Sequence, residues 1–163
     1  MKKIKYIVML AATAGISTIA IKHVKRKIQS AELNTSRLSK YYDILLDWID
    51  NLYGKRKLES VFLKKNYKKI AVYGRGTLGL LLYEELKDAD IEIKYYIDQN
   101  ADKYSSDIDG IPTLGIEAVN QMEAIDCIVV TPIHVYENIK DSLESTGVTI
   151  PILSLQEVIV EAE

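Results

Sequence analysis

Gly74, Gly76 and Gly79 stand at GxGxxG spacing in the stretch Gly74-Arg75-Gly76-Thr77-Leu78-Gly79. Glycines so spaced suit a strand-to-helix turn laid against a phosphate. The first permits the tight turn, the second lets bare main chain approach a pyrophosphate, and the third lets the helix lie close to the strand. The unpaired N–H groups of the helix's first turn then face the anion. Arg75 either touches a phosphate or stays a solvated loop residue, while Thr77 and Leu78 belong to the same cradle. Nineteen positions beyond Gly79 stands Asp98. A carboxylate there would accept hydrogen bonds from the adenosine ribose hydroxyls and repel a 2′-phosphate, so NAD, not NADP, is the dinucleotide that loop and acid predict.

Such a loop works only when a strand precedes it and a helix follows. Residues 69–73 (KIAVY) have the length and β-branched content of a buried strand, and residues 80–86 (LLLYEEL) read as a helix. A second apolar strand at 91–97 ends in Asp98. The alternation continues with a short edge strand at 111–114, a helix at 115–122, a buried strand at 124–131 that Pro132 breaks, a helix at 134–145, a strand at 150–154 and a helix at 155–160. The fold expected is α/β, a short Rossmann-like parallel sheet with flanking helices, preceded by a helical neck and an N-terminal hydrophobic helix. Right-handed crossovers bring the carboxyl ends of strands 69–73, 91–97 and 124–131 to one edge, so Gly74 to Gly79, Asp98, Thr131 and Pro132 should line one crevice.

No catalytic residue is assigned. Tyr136-x-x-x-Lys140 and Tyr83-x-x-x-Lys87 match the Tyr/Lys spacing of short-chain dehydrogenases. In that family the pair lies late in a much longer chain, whereas Tyr136 is 62 positions after Gly74. His134 opens a helix just beyond a strand's carboxyl end, but no base or nucleophile is paired with it in the sequence. Cys127, the one cysteine, reads as a small buried hydrophobe, and Asp126 as a strand-entry residue at the opposite edge. With one Cys and two His, neither a disulfide framework nor a structural zinc site can be built.

The chain has 163 residues and a net charge of -2, which conceals a gradient. Residues 1–30 carry +7, residues 31–70 carry +4, and residues 71–163 carry -13. An acidic body repels phosphate backbones, so nucleic acid is not an expected partner. The length allows one domain and an appendage. Three segments are expected: 1–30 as a membrane anchor, 31–66 as a helical neck, and 67–163 as the nucleotide-binding domain.

The anchor rests on residues 6–21 (YIVMLAATAGISTIAI), sixteen uncharged residues framed by lysines and an arginine. Spanning helices usually need about 20. Three basic residues precede the run and six follow closely, which predicts single-pass insertion in the cytoplasmic (inner) membrane with the C-terminal domain in the cytoplasm. In the neck, residues 36–53 place Leu38, Tyr41, Tyr42, Leu45, Trp48, Ile49, Leu52 and Tyr53 at helical spacings, and Gly54 is expected to end the helix. This stripe either packs on its own domain or joins two copies as a homodimer.

The runs YKKIAVYGRGTLGLLLYEEL, IKYYIDQNADK and IVVTPI resemble the small Rossmann-type proteins encoded in bacterial surface-polysaccharide clusters. They are also similar to the nucleotide-binding domains attached to membrane-bound nucleotide-sugar epimerases and dehydratases. The resemblance covers roughly residues 58–160. It implies binding of NAD, or of a nucleotide sugar as the alternative ligand, and polysaccharide-synthesis enzymes as partners. Gly74, Gly76, Gly79 and Asp98 are the matching positions. The Ser/Tyr/Lys constellation of the full epimerases has no equivalent here. The reading is therefore a membrane-tethered binding module, sensor or accessory subunit, with two alternatives: an oxidoreductase or epimerase completed by a partner subunit, and a scaffold with an empty cleft.

Overall fold

The computed structural model describes residues 2–121 and 124–163, and side chains over 21–119 and 124–163. Helix α1 (Lys2–Tyr53) leads to the short helix α2 (Glu59–Lys64). Strands β1 (Lys69–Tyr73), β2 (Glu92–Ile97), β3 (Thr113–Leu114), β4 (Cys127–Val130) and β5 (Ile152–Ser154) then alternate with helices α3 (Thr77–Leu86), α4 (Tyr136–Ser145) and α5 (Leu155–Val160). Two compact units result, Met1–Lys40 and Tyr41–Glu163.

All pairings in the five-stranded sheet are parallel, in the order β3-β2-β1-β4-β5. The chain steps outward from β1 to β2 and β3, then returns to lay β4 against the other side of β1. This reversal is the topological switch point at which open α/β sheets leave a crevice. Tyr73 ends β1 level with Ile97 of β2 and Val130 of β4, so the residues that follow these strands emerge together.

Strand β4, and β1 from Ile70 onward, are buried because both faces of the sheet are covered. On one face Ile70, Val72, Tyr96 and Val129 pack with Leu82 and Leu86 of α3, Val158 and Ile159 of α5, Phe62 of α2 and Ile44 and Trp48 of α1. On the other, Ala71, Tyr95, Ile128 and Val130 pack with Ile139 and Leu143 of α4 and with Val119. Cys127 is fully buried, and burial pushes its thiol up to about 12.

Several elements differ from the sequence expectation in extent. The segment around 115–122 is a 3-10 helix over Ile116–Gln121, and residue 122 lies outside the described residues. The expected strand 124–131 is strand only over Cys127–Val130; at its entry the Asp126 N–H donates to the Lys69 carbonyl at 2.7 Å while its carboxylate accepts the Lys68 and Lys69 N–H groups at 2.6 and 2.8 Å. Helix α1 closes in a Schellman arrangement in which Arg56 N–H reaches the Asn51 carbonyl (2.9 Å) and Lys55 N–H that of Leu52 (3.2 Å). Lys55, with φ of 59°, takes the left-handed position, and Gly54 precedes it.

The expected single-pass membrane location is overturned. Among the described residues no helix is long and apolar enough to cross a membrane. The uncharged run has sixteen residues and is diluted by Thr13, Gly15, Ser17 and Thr18, short of the roughly 20 apolar residues of a span. The hydrophobic helix expected at 6–21 otherwise falls, in its side chains up to residue 20, outside those described.

The last turns of α1 are fixed by polar contacts as well as by packing. Buried Asn51 donates from Nδ2 to the Ile159 carbonyl at 2.7 Å and accepts from Arg56 Nε at 2.7 Å. Glu85 of α3 accepts the Trp48 indole N–H on one oxygen and the Leu58 N–H, at 3.1 Å, on the other. Glu85→Ala leaves both donors without that acceptor and should lower stability by about 1–3 kcal/mol. Urea unfolding followed by the fluorescence of Trp48, the sole tryptophan, measures it. Asp126 makes a pH prediction. The Lys69 and Lys68 N–H groups hold its carboxyl below the ordinary 3.8. Its contribution is therefore present above that value and lost as pH falls through the lower folded one. Asp126→Asn should flatten this acid limb in urea midpoints measured between neutral pH and about pH 3.

Candidate functional site

Gly74, the first residue after β1, donates its N–H to the Ile97 carbonyl at 2.7 Å. Its φ of 99° lies where side chains are strained, and a Cβ there would stand 2.7 Å from Thr131 Oγ1. Thr131, the residue after β4, is buried. Its N–H binds the Tyr73 carbonyl at 3.0 Å, and its hydroxyl lies 3.1 and 3.3 Å from the carbonyl oxygens of Tyr73 and Gly74. The turn is thus fastened from the β4 side.

Gly79 sits one turn into α3, where an added Cβ would fall 2.1 Å from the Gly74 carbonyl oxygen. Only hydrogen fits there, and this approach lets α3 start so close to β1. Gly76 is different. It caps α3 with φ -86° and ψ -172°, a conformation open to any residue, and an added Cβ would meet nothing within 4 Å. Neither conformation nor protein packing requires a glycine at this position. Being glycine, it offers no side chain to cap the first-turn N–H groups of α3.

Asp98 follows β2 and ties the turn from its other side. Its Oδ2 accepts the Arg75 N–H at 2.9 Å, and its Oδ1 the Asn100 N–H at 2.8 Å. Two longer contacts complete its shell, from the Tyr104 hydroxyl to Oδ2 at 3.4 Å and from Asn100 Nδ2 to Oδ1 at 3.5 Å, and these are the contacts that a ribose hydroxyl would have to displace. Gly74, Gly76, Thr77, Leu78, Asp98, Thr131 and Pro132 line one crevice of about 450 Å³, which Tyr41, Leu45 and Leu81 complete. Gly79 lies behind its wall. The Arg75 guanidinium does not join the lining: it stacks over the Tyr104 ring at 4.3 Å.

Tyr41 and Leu45 did not stand out from their stripe in the sequence as crevice residues. The Tyr41 hydroxyl shares a hydrogen bond of 3.0 Å with His134 Nδ1, and the two rings meet edge-on at 5.5 Å. The contact joins positions 93 apart, a separation that no local spacing encodes. It leaves His134 half-buried and engaged with α1.

Neither tyrosine of the Tyr/Lys pairs is poised to give up a proton. Burial above all raises the Tyr136 pKa, and its hydroxyl donates to the Ile152 carbonyl at 2.9 Å. Tyr83 donates to Asp109 at 2.5 Å, and that bond holds its pKa up as well, while Lys87 pairs with Glu84. A larger depression of about 680 Å³ lies at the amino ends of β1 and β2, remote from the glycine turn. Three of its lysines pair with the chain's own acids, Lys68 with Asp90, Lys87 with Glu84 and Lys94 with Glu92. The smaller crevice at the switch point is where uncapped main-chain donors converge. Among the described residues no group of His, Cys, Asp and Glu could hold a metal ion.

A parallel sheet in this strand order, with a glycine turn at its switch point and an acid closing the second strand, defines a Rossmann-type protein. More particularly, the model for the C2185-like N-terminal domain matches residues 66–150, more than half of the chain, and the chain belongs to that family. A search of solved structures finds similarity to UDP-D-quinovosamine 4-dehydrogenase from Vibrio fischeri, at 21% identity and a TM-score of 0.44, covering 60% of this chain and 92% of that one. No curated protein matches.

The three glycines should behave differently. Gly79→Ala drives a methyl into the Gly74 carbonyl and should cost about 3 kcal/mol. Gly76→Ala should leave stability within about 0.5 kcal/mol of the parent. Paired urea titrations check the contrast, and equal losses at the two positions would refute this account of the turn.

Proposed function

We propose that the chain is a nucleotide-binding module, a sensor or accessory subunit that takes NAD or a nucleotide sugar in the crevice at its switch point and serves bacterial cell-surface polysaccharide synthesis. The observation that carries the reading is Gly76. Packing accounts for Gly74 and Gly79, but not for a glycine at 76, where the chain leaves open space beside the uncapped start of a helix. A diphosphate explains it: its oxygens would approach the main chain where a side chain would stand, and would accept the first-turn N–H groups of α3. Asp98, on the crevice wall, would take the ribose hydroxyls in place of its two long contacts, from the Tyr104 hydroxyl and Asn100 Nδ2. The place in polysaccharide synthesis rests on the resemblance of residues 58–160, and enzymes of that synthesis would be the partners. Tyr83 and Tyr136, the tyrosines of the two Tyr/Lys pairs, have raised pKa values, which favours binding over turnover by this chain alone.

Thermal unfolding of the full chain with NAD, NADP, coenzyme A or UDP-sugars tests the reading. NAD or a UDP-sugar should raise the melting temperature, and NADP should do so less than NAD. Gly76→Val should melt like the parent without ligand and lose the ligand-dependent shift. Asp98→Ala should weaken NAD more than it weakens inorganic pyrophosphate. A Gly76→Val variant that keeps the full shift would place the ligand elsewhere.

A further inference from the structure

Helix α1 presents an apolar seam whose large side chains stay exposed among the described residues. Ile21, Val24, Ile28, Ala31, Thr35, Leu38, Tyr42, Leu45, Ile49 and Leu52 follow one another at alternating steps of three and four, the 3.5-residue repeat of a left-handed coiled coil. All ten positions are solvent-accessible, the large apolar ones from 36% at Leu45 to 64% at Leu38. Residues 21–52 include ten charged side chains, and none falls on the seam. Exposed apolar side chains recurring at this spacing are what a second helix would cover. The face that packs on the sheet is a different one: Ile44, Trp48 and Asn51 are buried and lie off the seam, so a partner could dock without displacing it.

We propose that this seam is covered by a second copy of the chain, in a parallel, in-register, two-stranded coiled coil over residues 21–52. Three features choose this occupant and geometry. With Ile21 as heptad position a, the a residues are Ile21, Ile28, Thr35, Tyr42 and Ile49, four of five β-branched, and three of the five d residues are Leu. β-branched a with leucine d favours two parallel strands over three or four. The flanking g and e positions hold Lys27 and Glu32, five residues apart, the spacing that pairs g with e′ across a parallel dimer. Both symmetry-related Lys27–Glu32 pairs are attractive, whereas an antiparallel pairing that overlaps the seams sets Lys27 opposite Trp48. Finally, Thr35, the one hydroxyl among the aliphatic seam positions, donates to the Ala31 carbonyl at 2.9 Å. It enters the seam with its donor satisfied.

The stripe at 36–53 is thus the end of a longer seam that begins at Ile21. Leu45 belongs to the seam and to the crevice wall, so the second copy would border the nucleotide site.

Sedimentation equilibrium of the full chain tests the proposal. A mass of twice 18.4 kDa is expected, falling to 18.4 kDa in the double variant Ile28→Asp, Leu38→Glu. Both side chains are exposed, so loss of the dimer should leave the thermal transition of the globular unit in place. Lys27→Glu should weaken the dimer about fivefold, and adding Glu32→Lys should restore it. Val24→Cys should give a disulfide-linked dimer under mild oxidation, since Cys127 is buried and Val24 faces its own counterpart only in the parallel register. A monomer or a trimer of the parent, or a Val24→Cys dimer that resists cross-linking, would overturn the proposal.

Discussion

The Gly79 backbone rests against the Gly74 carbonyl, and the geometry of the crevice depends on that contact. Because no Cβ intervenes, α3 starts within one turn of the end of β1, and the uncapped donors of its first turn meet the carboxyl edge of the sheet. Thr131 from β4 and Asp98 from β2 then hold the turn from both sides, through a hydroxyl and a carboxylate that grip main chain. Strand register makes this possible, since Tyr73, Ile97 and Val130 end level with one another. The fold supplies a rigid frame and leaves Gly76 as the open position within it.

The same frame gives Asp98 two tasks that need not conflict. Its hydrogen bond to the Arg75 N–H fixes the loop, and its longer contacts to the Tyr104 hydroxyl (3.4 Å) and Asn100 Nδ2 (3.5 Å) are the ones a ligand hydroxyl could replace. Arg75, by contrast, spends its cation on the Tyr104 ring. What the loop offers an anion is therefore main chain and helix dipole, without a formal positive charge on the crevice wall from this residue. In an acidic body, the proposed ligand would be selected by shape and by donor geometry more than by long-range attraction.

Much of this was legible in the sequence, because it is local. The glycine spacing, the apolar run before it and the acid after the next strand are each set within a few residues, and together they specify strand, turn and helix in order. Gly54 does follow the last residue of α1, Tyr53, but the left-handed position of the closing turn falls on Lys55, which carries no sequence signal for it. The 3-10 stretch Ile116–Gln121 lacks a signal that separates it from a short helix. Tyr41 and Leu45 were invisible as crevice residues for a different reason: their placement follows from how Ile44, Trp48 and Asn51 seat α1 on α3 and α5, a long-range outcome. The membrane expectation failed on length, since lysines at both ends of a run do not make up for missing apolar turns.

The claim at the centre of this account is that unobstructed main chain from Gly74 to Gly79 receives an anion. Amide chemical shifts of the full chain, recorded as inorganic pyrophosphate is added, test it at the atoms concerned. The account predicts saturable changes concentrated on the N–H groups of Arg75 to Gly79, with a smaller response at Asp98. Changes confined to the lysine-lined depression around Lys68 and Lys94, or none at all, would contradict it.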